Sequence, residues 1–413
     1  MNPYRFFDYA STSPCCEQAL QTYLEVSKEH FANPSSSHTL GQKAARMIRE
    51  AREFFASHFQ VEPEQVIFTG SGTEANNLAI FGPMLHEVLA KPQEKKQVLF
   101  SSIEHASVRN AALSLQDYGV QVERIQVSSL GEITESLFKE QLQKNPSLVS
   151  VQTVNQLIGT LIPVEKWAQL TKSISPHTLF HTDAIQALGR VPLPQASSSQ
   201  IDLLTLSAHK VQGPKGVGAL IVLNRSLVRN KKLRPLLWGG GQEKGMRSGT
   251  QNPALISSFY QATRIALQNE KALFEHVLKL RDRFKELIFQ KGISGVRWNS
   301  PEEQHVPHIL NLSFLGIPAA PLAGLLEEKK CIVSVGSACH SKKPEPDPVL
   351  AALGLPLDVQ NSALRISFSS QTQLSDVEVL AEEIAESVKR LGLLLGRPGQ
   401  QSFKKQKKPH SPP

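Results

Sequence analysis

Four cysteines in 413 residues, Cys15, Cys16, Cys331 and Cys339, form no CxxC pair, and no histidines cluster at zinc-ligand spacing. Neither a disulfide framework nor a structural zinc site organises such a chain, and no metal is expected. No apolar run reaches the roughly 18 residues of a membrane helix. The opening MNPYRFFDYA lacks a basic region followed by an apolar stretch. The expectation is therefore a cytoplasmic protein that neither spans a membrane nor is secreted. Also missing is the low-hydrophobicity, high-charge composition of a disordered chain, since 40% of residues are hydrophobic and 20% charged. At roughly 100–200 residues per domain the length is enough for two or three domains.

The formal charge is +8, but the excess is unevenly placed. Residues 397–413 hold Arg397, Lys404, Lys405, Lys407 and Lys408 and no acid, which leaves +3 for the remainder. Gly, Gln, Ser and Pro separate those cations, so residues 396–413 are read as a disordered basic tail. A nucleic-acid arm is the lesser reading, because no basic patch with interleaved aromatics occurs elsewhere.

Between Val61 and Leu223, short apolar runs alternate with helix-length stretches: VIFT (66–69), QVLFS (97–101), VERIQV (122–127), LVSVQTV (148–154), TLFHTD (178–183), LLTLSA (203–208) and GALIVL (218–223). Runs apolar on both faces and separated by helices indicate an α/β domain with a mostly parallel, seven-stranded sheet. A connecting helix is expected from about 255 to 289. Beyond it, NLSF, a helix near 318–329, CIVSV, ALRISF and a last amphipathic helix near 375–395 suggest a smaller α+β domain. The organisation read from this is an N-terminal segment (1–15) joining the small domain, a large domain (16–254), and a connecting helix with the small domain (255–395).

Polar residues gather where the strands end, which is where open α/β sheets carry their ligand sites. FTGSGTEANN (68–77) places Gly70, Ser71, Gly72 and Thr73 between a strand and a helix start, suited either to a phosphate or merely to a turn and cap. His105 follows QVLFS as a site residue or a helix cap, and Asn155 follows LVSVQTV in buried surroundings. Asp183 ends TLFHTD as a helix cap or as a buried carboxylate in need of a cation, with Gln186 three residues along the same helical face. Lys210 follows LLTLSA and His209. It is either a turn lysine or an amine with depressed pKa that forms a Schiff base with an aldehyde. Cys339 lies in SVGSACHSKKPEPDP beside His340, Lys342 and Lys343, as a structural hydrophobe or an accessible thiolate. Cys15, Cys16 and Cys331 read as structural.

Together these strings resemble the cysteine desulfurases of the class V aminotransferase group of pyridoxal-phosphate enzymes. The resemblance runs through FFDYASTSP, NPSSSHTLGQKAA, EHASV, HTDAIQALG, SAHKVQGPKGVGAL, GMRSGTQN, VSVGSACHS and NSALRISF, nearly everything but the tail. It implies the fold type I architecture of pyridoxal-5'-phosphate-dependent transferases and a homodimer. Lys210 would bind the cofactor and shuttle the substrate α-proton. Asp183 would face the pyridine nitrogen, Gln186 the ring hydroxyl, and His105 the ring face. Gly72, Thr73, Ser207 and His209 would hold the phosphate, joined by Thr250 of the other subunit. Asn155 and Arg365, with Asn33, would bind the substrate. Cys339 would accept sulfur from L-cysteine, releasing alanine, and would pass its persulfide to an iron–sulfur scaffold or a tRNA-thiolation relay. The chain departs from the family strings at Gln156 and Leu157 (usually Asn and Glu), at Gln212 (usually Tyr) and at Ser369-Ser370 (commonly Gly-Arg). The turn Gly70-Ser71-Gly72 also differs from the Ser-Gly order more often found there. Cys-His-Ser at 339–341 and ALRIS also resemble selenocysteine lyases. A catalytically degenerate scaffold is a third reading.

Overall fold

The structure is a computed structural model that describes residues 4–336 and 347–395. Cys339 with its neighbours and the basic tail lie outside the described residues. All seven apolar runs form strands of one sheet: β1 (Val66–Thr69), β2 (Gln97–Ser101), β3 (Gln121–Ile125), β4 (Leu148–Ser150), β5 (Leu179–Asp183), β6 (Leu203–Ser207) and β7 (Gly218–Val222). Their order across the sheet is β1-β7-β6-β5-β4-β2-β3. Only β7 runs antiparallel to its neighbours, and every other pairing is parallel. Each residue of β1, β2, β6 and β7 is buried, as expected of strands covered on both faces.

Two readings of this region need adjusting. The run LVSVQTV keeps strand geometry only through Ser150. Past it, Thr153 N–H donates to Asp183 O while Ile162 N–H donates to Thr153 O, folding the chain back on itself around Gly159 at φ +72. No helix follows Asp183. Residues 185–190 are turns that include Gly189 at φ +66, so Gln186 does not share a helical face with Asp183. Asp183 Oδ1 instead accepts from Ile185 N–H at 2.9 Å, a local bond that competes with helix formation.

The expected connecting helix is two helices, Pro253–Gln268 and Glu270–Gln290. Asn269 separates them, its Nδ2 donating back to Ile265 O at 2.8 Å. A second, antiparallel sheet is built from Val296–Trp298, Ile309–Phe314, Ser334–Val335 and Ala363–Ser367. It has its own core, in which Phe284, Leu312, Phe314, Ile366 and Leu380 pack together, separate from the core around Phe55, Val149 and Phe180.

The N-terminal residues bind both bodies. Arg5 and Phe6 pair with Cys331 and Ile332, and Asp8 bridges Ser367. Ser13 N–H and Oγ both donate to His209 O, at 2.9 and 2.8 Å. Among the described residues no helix is long and apolar enough to cross a membrane.

Candidate active site

The carboxyl ends of β1, β2, β4, β5 and β6 share one edge of the sheet, and the residues singled out from the sequence meet there. The helix Gly72–Ala90 starts at that edge, capped by Ser71, whose Oγ accepts from Glu74 N–H at 3.1 Å. A Cβ at Gly72 would lie 2.4 Å from Ile185 Cδ1 and 3.1 Å from Ser207 Cβ, so a side chain there would have to push Ile185 aside where this helix end sits against β6. Thr73 follows, exposed. A helix N-terminus with unpaired N–H groups beside Ser207 is suited to a phosphate.

One turn along the same helix, fully buried Asn76 donates through Nδ2 to Asp183 Oδ2 at 2.7 Å and to Ser107 Oγ at 2.8 Å. Ser107 Oγ in turn lies 2.7 Å from His105 Nδ1. A single chain of hydrogen bonds therefore runs from His105 to Asp183. His105 also caps the helix Ala106–Ser114, the structural role anticipated for it. Burial raises the Asp183 pKa, and bonds from Ile185 N–H and Asn76, with the Lys210 charge, oppose that rise. Next to His105, Glu104 is wholly buried. Burial, then the Asp183 charge, push its pKa well up, and one bond from Gln152 N–H at 2.7 Å opposes them. Of these two neighbouring carboxyls, Glu104 is the one whose pKa is pushed up the more strongly.

Asp183 is the last residue of β5 and Lys210 lies three residues past the end of β6, as their spacing suggested. Lys210 Nζ donates to Ala10 O and Ser11 O, each at 2.6 Å. Its pKa is pushed down to about 7, first by burial and then by the Arg365 and Arg190 cations, against the pull of Asp8 and Asp183. His209 is pushed down to about 4, first by burial and then by Lys210, and is neutral at pH 7.

Arg365, 2% exposed, donates through Nη2 to Asp8 Oδ1 at 2.7 Å and through Nη1 to Gln156 O at 2.9 Å. Its buried Nε has no partner among the described residues. Asn155 spends its side chain on the backbone, accepting from Leu157 and Ile158 N–H at 2.9 Å each and donating to Ile103 O. Gln186 donates to Ala10 O at 2.7 Å and accepts from Arg190. Asn33 and Thr250 are exposed, and no hydrogen bond joins either to the others.

The buried amine, the buried carboxylate and the helix N-terminus fit a flat, phosphorylated aldehyde bearing a basic ring nitrogen. Sequence reasoning missed Asp8, Asn76, Glu104, Ser107 and Arg190. Asn76 had a signal, lying four residues after Gly72 on the same helical face.

Across the whole length of this architecture, residues 5–380 match the family described as aminotransferase class-V. The chain belongs to that family. The chain is similar to the cysteine desulfurase IscS of Dictyoglomus turgidum, 32% identical over 403 residues, covering 98% of each chain. A solved NifS-like protein shares 28% identity at a TM-score of 0.85, covering 94% of this chain and all of its own. The solved structure of SspA in complex with cysteine is 31% identical with a TM-score of 0.74, covering 88% of this chain and 98% of that one. Among the departures of this chain from the family strings, Leu157 is fully buried in the core, and Gln212 Nε2 donates to Ser370 Oγ at 3.1 Å.

Proposed function

We propose that this protein is a pyridoxal-phosphate-dependent cysteine desulfurase, converting L-cysteine to L-alanine with a persulfide on Cys339. The observation that carries the reading is the placement of Lys210, its Nζ held by Ala10 O and Ser11 O past the end of β6, near buried Asp183 and the helix N-terminus at Gly72, with burial first pushing its pKa down to about 7. Gly72, Thr73, Ser207 and His209, with Thr250 from a second subunit, would hold the phosphate. Asp183 would face the ring nitrogen, Gln186 the ring hydroxyl, and His105 the ring face. When bound, the cofactor supplies an electron-poor ring that takes up charge from the substrate α-carbon.

The protein's own groups do the rest. Neutral Lys210 Nζ takes and returns the α-proton. Asn76 and Ile185 N–H fix the orientation of Asp183 and keep it an acceptor. Arg365, with Asn155 and Asn33, would receive the substrate carboxylate. Asp8 now pairs with Arg365, so an incoming carboxylate must share or replace that partner. In the net reaction the substrate Cβ–S bond breaks, the thiolate of Cys339 becomes a persulfide, and the carbon skeleton gains a proton and leaves as alanine. Ser334, five positions before Cys339 in the sequence, pairs in register with Arg365.

The persulfide sulfur would pass to an iron–sulfur scaffold or a tRNA-thiolation relay, from a homodimer in the cytoplasm. The domain division at 15, 254 and 395 belongs to the same reading. A selenocysteine lyase is the second reading, carried by Cys-His-Ser at 339–341.

The test is the visible spectrum of the purified protein before and after L-cysteine, with Lys210→Ala and Cys339→Ser alongside. A band lost in Lys210→Ala and shifted by cysteine, with no persulfide in Cys339→Ser, is expected. A protein that takes up no pyridoxal phosphate, or a Cys339→Ser variant that forms persulfide normally, overturns the proposal.

A further inference from the structure

A cleft of about 140 Å³ opens beside Lys210, between the helices 253–290, the N-terminal segment and the end of the strand Ala363–Ser367. His105, Asp183, Ser207 and Arg365 do not line it, so it is separate from the candidate active site except for Lys210 and Arg190, which border both. Exposed Asn269 and Ser370 mark its mouth, while Arg190 and His308, 9% and 3% exposed, mark its depth. Leu188, Ile265, Ala266 and Leu273 supply an apolar wall.

Arg190 is the group without an explanation. A buried guanidinium ordinarily faces a carboxylate. Its partners here are the uncharged Gln186 O, Gln186 Oε1 and Lys210 O, at 3.3, 2.7 and 2.8 Å. These use three of its five N–H groups. Among the described residues the Nε–H and one Nη2–H have no acceptor, and no carboxylate pairs with the cation. Nε2 of His308 is also buried without a partner.

We propose that this cleft is a second binding site, taking a small monocarboxylate with a short apolar chain. The carboxylate neutralises Arg190 and accepts its spare N–H groups, and the chain lies on the Leu188–Leu273 wall. A bare inorganic anion satisfies the guanidinium but leaves that wall wet. An occupant is felt at Lys210, because four hydrogen bonds close a ring: Arg190 Nη2 to Lys210 O, Arg190 Nη1 to Gln186 Oε1, Gln186 Nε2 to Ala10 O, and Lys210 Nζ to Ala10 O. The site therefore regulates the lysine without touching the substrate position, and the proposal holds whichever reaction that lysine serves.

The experiment is isothermal titration of the full-length protein with sodium propionate, against sodium chloride and sodium phosphate at matched ionic strength. Saturable one-site binding of propionate alone is expected, weakened at least tenfold by Ser370→Phe, which blocks the mouth from an exposed position, and by Arg190→Gln. Absence of saturable propionate binding overturns the proposal, as does equal binding of phosphate or chloride. Propionate binding that survives Ser370→Phe but is lost in Arg365→Lys belongs to the candidate active site, and that result also overturns it.

Discussion

Raising the pH through 7 is the most direct perturbation of Lys210. An ordinary lysine, with pKa near 10.4, has only about 4 in 10,000 of its amines neutral at pH 7. A lysine at about 7 has half of them neutral, a gain of about a thousandfold in the form that condenses with an aldehyde. The second-order rate at which cofactor-free protein captures pyridoxal phosphate, followed by the growth of visible absorbance, is therefore expected to rise through an inflection near pH 7 and then level off. The cations Arg365 and Arg190 depress the pKa and Asp8 raises it. Asp8→Asn thus moves the inflection to lower pH, and Arg190→Gln moves it higher. A rate that climbs tenfold per unit from pH 6 to 9 without levelling would show an ordinary lysine and refute the argument.

Asp183→Asn removes the carboxylate expected opposite the ring nitrogen while keeping an acceptor for Ile185 N–H. Turnover of L-cysteine is expected to fall by about 10²–10³, with the visible band retained, as read by alanine release. Asn76→Ala leaves Asp183 Oδ2 buried without its donor and is expected to cost about 1–3 kcal/mol in urea unfolding. Glu104 has its pKa raised by burial, so the folded state holds a proton that the unfolded state releases. Its contribution to stability is complete below the ordinary carboxylate pKa and is lost as pH rises toward the elevated folded value. Glu104→Gln is accordingly expected to flatten the decline of stability above pH 5, and an unchanged slope would contradict a protonated Glu104. Arg52→Met strands Glu243, whose carboxylate takes a bidentate contact from Arg52 at 2.7 and 2.8 Å. A loss of about 3–5 kcal/mol is expected by the same unfolding measurement.

How much of this was legible depended on range. The seven strands announced themselves because parallel strands buried on both faces must be continuously apolar, a local property of VIFT or LLTLSA. The order Asp183, then Lys210, at successive strand ends was legible for the same reason. Asn269 was not, because its helix break comes from a side chain competing for Ile265 O within an otherwise helical pattern. Least legible were the pairs that complete the site. Asp8 meets Arg365 across 357 positions and Asn76 meets Asp183 across 107, and no periodicity in the sequence encodes such distances. Gln186 could be placed near the site but not on the right backbone, since a single side-chain acceptor at Asp183 turns the following residues away from a helix.

The strap formed by residues 5–13 has a consequence for the order of events on the ribosome. The sheet strands end at Val222, so all seven are synthesised before the later half of the chain, which then adds Phe259, Val306 and Leu350 to their core. Arg5 and Asp8, among the first residues to emerge, have to wait for Cys331 and Arg365, among the last. Until then the carbonyls of Ala10 and Ser11 are not held over Lys210 from both sides. A nascent chain can thus carry all seven sheet strands while the surroundings of Lys210 are still incomplete.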